Sequence, residues 1–214
     1  MQIECGILDI NISNKKNILE ACKKVGIKTK LIKTGKQIKN SKSIIFPGNG
    51  TFHEAMKTIK LMKIEKDIKN FIKSGKFFFG ICLGMQILFS KSDERGKISK
   101  GLGILEGDVK QILAKNKKFN IPIIGWLPFN KHREIRENKK FLSRFKKNTP
   151  MYFSNSCVVI PKNKKYNKYF TSINGIKLCA AVSYKNIIAT QFHPELSSVD
   201  GLEFFKFLKE NIRY

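Results

Sequence analysis

At 214 residues the chain has the length of one domain and enough of it to bury a sizeable core without staples. An apolar share of 42% excludes a disordered or fibrous chain. The formal charge of +26 invites a nucleic-acid reading, but only five of the 42 basic residues are arginine and the lysines are spread along the whole chain; readers of bases and phosphates favour clustered arginine, so the charge reads as solvated lysine faces that could still favour an acidic partner protein.

Five cysteines stand at positions 5, 22, 82, 157 and 179. An odd count with no CxxC or other metal-like spacing predicts a reducing cytoplasm, with no disulfide framework and no metal site. The N-terminal Met1–Gly6 stretch runs straight into a strand pattern without a charged and then an apolar region, which predicts no signal peptide. No apolar run reaches the roughly 18 residues of a membrane span.

The first half of the chain alternates strand and helix. Ile7–Ile10 reads as a strand, and Ile18, Leu19, Cys22 and Val25 then recur at helical spacing up to Gly26. Lys28–Ile32 and Ser43–Phe46 are the next strands, the latter closed by Pro47-Gly48-Asn49-Gly50. Ala55, Met56, Ile59 and Met62 make one helix stripe; Ile64, Ile68, Phe71 and Ile72 make another, ended by Gly75. Lys76–Ile81 is a strongly apolar strand, followed by a Gly-rich turn and a helix-like run over Met85–Phe89. Strands alternating with helices predict a doubly wound, mostly parallel sheet with helices on both faces. The second half changes character. Short strands over Ile121–Trp126, Met151–Phe153, Val158–Ile160, Leu178–Tyr184 and Ile187–Phe192 predict antiparallel strands added to that core, with a tight turn at Lys185-Asn186. Val199–Ile212 is a C-terminal helix burying Leu202, Phe205, Leu208 and Ile212. With no repeat and no linker, residues 1–214 are expected to form a single domain.

Three features carry chemistry. Gly80-Ile81-Cys82-Leu83-Gly84 has the pattern of a nucleophile elbow with Cys in place of Ser: small residues admit the sharp turn, and the helix that follows lowers a thiol's pKa and offers backbone N–H groups to an oxyanion. Taken alone, the same five residues also suit a buried, inert cysteine packed between glycines. A thiolate needs a base, and the base needs an orienter. Of the three histidines, His132 lies in the charged run Lys131–Glu134 and reads as an exposed loop residue, and His53 reads as a surface or capping residue at a helix start. His193 ends a strand, and Pro194 turns the chain there, so that His193 and Glu195 emerge together.

Gly80–Gln86, followed far downstream by Gln191-Phe192-His193-Pro194-Glu195, resembles the class I glutamine amidotransferases. Within that class the whole chain is most similar to the glutaminase subunits of imidazole glycerol phosphate synthases. Pro47–Phe52 is similar to their oxyanion strand. Gly101–Ile104 and Gly107–Val109 match a middle segment, Pro122–Trp126 a partner-facing Gly-Trp motif, and Tyr152–Ser156 a strand beside the glutamine. The resemblance implies that Cys82 attacks the side-chain amide of glutamine, His193 moves the proton and Glu195 orients His193. It implies oxyanion contacts from Leu83 and from Gly48, Asn49 and Gly50, and glutamine contacts from Gln86, Glu94, Asn155 and Ser156. It further implies a heterodimer in which Trp126 meets a (β/α)8-barrel cyclase or synthase subunit that receives the ammonia through a channel. It calls for no cofactor, nucleic acid or membrane.

Departures from the family pattern cluster where such chains meet their synthase. The stretch after Asp9 is Ile10-Asn11-Ile12-Ser13 rather than Gly-rich, although Asn14 fits; Ile123, Leu127 and Leu196 stand where His, Asn and Lys are usual, and Asn155-Ser156-Cys157 replaces His-Ser-Tyr. Two acceptors therefore stay open: imidazole glycerol phosphate formation in histidine biosynthesis, and a sugar amidotransferase of bacterial surface polysaccharide synthesis. Readings from other classes are a cysteine peptidase on the same elbow and a catalytically silent binding module. Gln86 and the Pro47–Gly50 strand favour glutamine over a peptide, and the complete Cys–His–Glu set argues against silence.

Overall fold

The computed structural model describes residues 2–11, 15–112, 120–131 and 144–212; Asn14 and His132 lie outside the described residues. The first half supplies β1 (Ile3–Leu8), α1 (Lys16–Lys24), β2 (Thr29–Ile32), α2 (Gly35–Lys39), β3 (Ser41–Phe46), α3 (Phe52–Leu61), α4 (Glu65–Lys73), β4 (Phe77–Ile81) and the short α5 (Leu83–Gln86). The second half adds β5 (Lys91–Ser92), β6 (Ser99–Lys100), β7 (Gly107–Gln111), β8 (Ile123–Lys131), β9 (Thr149–Asn155), β10 (Cys157–Pro161), β11 (Asn167–Ile173), β12 (Ile176–Tyr184), β13 (Ile187–Thr190) and the C-terminal α6 (Ser198–Asn211).

Nine strands form one sheet in the order β2-β1-β3-β4-β13-β12-β11-β8-β9. The first five run parallel, and the others join antiparallel. This is the expected parallel core with antiparallel additions. β10, β7, β5 and β6 form a second, smaller sheet. The parallel strands are buried on both faces, which is why they read as continuous apolar runs. One core layer joins the sheet to α2, α3 and α4 through Ile38, Phe52, Ile59, Ile68 and Phe71. The opposite layer joins it to α1 and α6 through Ile18, Cys22, Phe204, Phe205 and Leu208.

Several boundaries differ from the sequence pattern for identifiable reasons. The strand expected over Ile7–Ile10 lies at Ile3–Leu8: Asp9 turns its carboxylate to Lys15 Nζ at 2.5 Å and Lys33 Nζ at 3.3 Å, and Asn11 takes a left-handed φ of 63°. The helix expected over Met85–Phe89 is instead the single turn Leu83–Gln86, because the loop at 103–105 donates its N–H groups to the carbonyls of Leu88 and Phe89. α2 escapes the helical pattern because it is one turn long; it is set by Thr34 and Gln37, which exchange capping-box hydrogen bonds. β11 is a further addition. The turn at Lys185-Asn186 is present, with Lys185 at φ 52°.

Candidate active site

The apolar strand β4 delivers Cys82 to the carboxyl end of the sheet. Cys82 takes φ 49° and ψ −103°, a strained backbone that throws its side chain out of the strand. The flanking glycines are dictated by contact. A Cβ on Gly80 would lie 2.5 Å from Gly84 O, and one on Gly84 would lie 2.2 Å from Phe46 O. The Cys82 N–H is tied to Thr190 O at 2.7 Å, so the elbow is pinned to β13. Its carbonyl accepts from Met85 and Gln86, opening α5 directly after Cys82.

β13 ends at Thr190, two residues before the expected Phe192, and His193 stands three residues past it. Phe192 before it is fully buried and packs edge-on to Phe129 and Phe204 at 5.2 and 5.1 Å. The His193 N–H donates to Tyr152 O at 2.8 Å, while Ser197 Oγ donates to His193 O at 2.6 Å and accepts from the Tyr152 N–H at 2.9 Å. The His193 backbone is thus stitched to β9. Pro194–Leu196 forms a 3-10 turn that brings the Glu195 carboxylate to His193 Nδ1 at 2.8 Å, with both side chains almost wholly buried. Among the described residues, the buried Nε2 has no partner at normal hydrogen-bond geometry. Burial pushes the imidazole's pKa down. The Cys82 charge, joined by Glu195, outweighs it and raises the pKa to about 10. The buried ring therefore favours its protonated form, held through Nδ1 by the Glu195 carboxylate, the base-and-orienter pairing that a sulfur nucleophile would need.

The remaining expected residues fall around this centre in different ways. Gly48 presses on the elbow: a Cβ there would lie 1.9 Å from Ile81 O and 2.4 Å from Leu83 N. The Pro47–Gly50 stretch and the Leu83 N–H are accordingly side by side, and Gly50 takes φ 104°. Gln86 is buried behind Cys82, where its Nε2 donates to Gln191 Oε1 at 3.1 Å and Cys157 O at 3.4 Å. Asn155 is also buried and donates to the same carbonyl at 2.9 Å. Ser156 gives its carbonyl to the Ile112 N–H at 2.9 Å. The Glu94 carboxylate accepts from the Phe52 N–H at 2.8 Å, holding the start of α3 just past the Pro47–Gly50 stretch. His53 is half-buried and its Nδ1 bonds Ser99 Oγ at 3.0 Å. Trp126 stands apart on β8, 51% exposed beside the more exposed Ile124, with its ring edge-on to Tyr152.

The family model for glutamine amidotransferase class-I matches residues 6–209. The chain belongs to the class I glutamine amidotransferases. Its activity is accordingly that of a glutaminase. The chain is 36% identical to the imidazole glycerol phosphate synthase subunit HisH of Caldanaerobacter subterraneus subsp. tengcongensis, over 97% of this chain and 98% of the relative. It is 37% identical to the protein of the same name from Prochlorococcus marinus subsp. pastoris, over 92% of each. Its fold superposes on a chain in the structure of PurLQS from Thermotoga maritima with a TM-score of 0.73, 20% identity and full coverage of both chains.

Two residues of this amidotransferase carry weight that the sequence pattern left unassigned. Gln191 stands two positions before His193, and its Nε2 donates to Cys82 Sγ at 3.4 Å. Ser197 fixes the backbone of His193. β13 ends at Thr190, so Gln191 and His193 lie just past it, and the available signal for Gln191 was its place two positions before His193.

Proposed function

We propose that Cys82, His193 and Glu195 act as the triad of a glutaminase subunit of imidazole glycerol phosphate synthase that serves histidine biosynthesis. The observation that carries the triad is the buried imidazole of His193, raised by Cys82 and bonded through Nδ1 to Glu195. Cys82 Sγ would attack the side-chain amide carbon of glutamine. The Leu83 N–H would receive the developing oxyanion, joined by a peptide N–H of Gly48, Asn49 or Gly50 after that strand reorients. His193 would protonate the departing ammonia and then activate the water that releases glutamate from the thioester. Glu94, Asn155 and Ser156 would face the main-chain end of glutamine. Because Gln86 Nε2 is engaged inside the protein, the glutamine contact of Gln86 would fall to its Oε1.

The two HisH relatives support the histidine-pathway acceptor over a sugar acceptor. The cyclase would be a (β/α)8-barrel subunit docked as a heterodimer over the exposed Ile124 and Trp126, taking ammonia directly and sparing it from protonation in bulk water. The test is glutamate release from glutamine by the purified chain mixed with a histidine-pathway cyclase. Release stimulated by that cyclase and absent in Cys82→Ala is the expected result. No release from the primed complex would sink the glutaminase subunit reading, and unchanged release in Cys82→Ala would sink the triad.

A further inference from the structure

Behind the nucleophile, two buried amides join Cys82 to a carbonyl of the smaller sheet. Gln191 is 1% exposed and Gln86 6%. An amide side chain has two ends of opposite polarity, and in this chain the polarity is set by an atom that cannot be exchanged. The Cys157 backbone carbonyl can only accept, so the Gln86 end facing it at 3.4 Å is the nitrogen. That nitrogen also donates to Gln191 Oε1 at 3.1 Å. With its oxygen so committed, Gln191 turns its Nε2 to Cys82 Sγ at 3.4 Å. The Asn155 amide donates to the same Cys157 carbonyl at 2.9 Å and tethers it from the other side.

We infer that Gln191 is a further catalytic residue, an N–H donor to the Cys82 sulfur that favours the thiolate, and that Gln86 is a positioning residue fixing the direction of that donor through the Cys157 carbonyl. A donor directed at sulfur stabilises the anion and not the thiol, and in a buried site no water competes for the bond. With the two amides reversed, an oxygen would face the thiolate and repel it. The inference rests on the reading of Cys82 as the nucleophile, but its test needs no glutamine turnover.

The experiment measures the rate of Cys82 alkylation by iodoacetamide against pH, followed by mass spectrometry of the Cys82 peptide on the full chain. The other four thiols compete little: all are buried, and burial pushes Cys5, Cys157 and Cys179 up to about 12 and raises Cys22 as well. Gln191→Met keeps the side chain's length and removes the donor. It is expected to move the labelling midpoint up by about one pH unit, roughly a tenfold slower reaction below it. Gln86→Met is expected to move the midpoint in the same direction by less. An unchanged midpoint in Gln191→Met with native near-ultraviolet circular dichroism overturns the inference. Should that variant not fold, Gln191→Glu decides: it has nearly the same shape, and an unchanged or lowered midpoint there overturns the inference equally. A chain that labels as expected yet releases no glutamate would count against the proposed function and leave the donor relay standing.

Discussion

The properties of His193 depend on its neighbours. Burial alone would depress its pKa; the Cys82 charge is the first of the influences that raise it, to about 10. Removing that charge in Cys82→Ala is therefore expected to lower the His193 midpoint, readable by NMR in a chain with only three histidines. A midpoint unmoved by the substitution would mean that Glu195 alone holds the proton. The stability consequence follows from the sign. The folded pKa lies above the ordinary histidine value of about 6.5, so the stabilising contribution is complete below that pH and is lost as pH rises through about 10. Cys82→Ala should narrow this window, and urea melts at pH 7 and pH 10 measure it. The elbow at Cys82 and the His193–Glu195 contact were legible in the sequence because each follows from a local pattern: glycines around Cys82, and Pro194 between His193 and Glu195. The Gln191–Gln86 contact was not, since it joins residues 105 positions apart whose meeting depends on how β13 lies beside β4.

At the scale of elements, legibility followed burial. β3 and β4 lie under helices on both sides and show as unbroken apolar runs, whereas β11 (Asn-Lys-Tyr-Phe-Thr-Ser-Ile) mixes polar and apolar residues around a register shift and shows no clean period. The half-exposed β8 was expected early and begins at Ile123, two residues later than its pattern. The Pro47–Gly50 segment that follows β3 is where element and chemistry meet. Its glycine at 48 is required by backbone atoms that cannot yield, since an added Cβ would lie 1.9 Å from Ile81 O and 2.4 Å from Leu83 N. Gly48→Ala is expected to destabilise the protein by about 1–3 kcal/mol. It should also suppress glutamate release beyond what the unfolded fraction explains, because relieving the clash pushes the segment off the elbow. Urea melts and activity on the same sample separate the two effects. Full activity with native stability would show that the segment can retreat without consequence.

For the whole molecule the dominant quantity is charge. With 42 basic and 16 acidic residues, most lysines must meet other lysines before they meet a carboxylate. The ion pairs that do form at the surface, such as Lys69–Glu65, Lys162–Asp108 and Lys206–Glu203, are each worth about 0–1 kcal/mol. Added salt screens these few attractions and the far more numerous repulsions alike. Going from 0.01 M to 0.15 M shortens the screening length from about 30 Å to about 8 Å, so repulsion across the molecule fades while contacts at 3 Å persist in part. The folded chain, which holds its charges closer than the unfolded one, gains most from that screening. The melting temperature is accordingly expected to rise between 0.01 M and 0.15 M sodium chloride, as read by differential scanning calorimetry, and a fall would mean that the specific ion pairs outweigh the net charge. Docking of the proposed cyclase, if that partner presents an acidic face, should respond with the opposite sign, its association rate falling over the same range, because steering by the lysine surface is the first thing that salt removes. A rate insensitive to salt would leave the lysines as solvation alone, with docking carried by the apolar surface at Ile124 and Trp126.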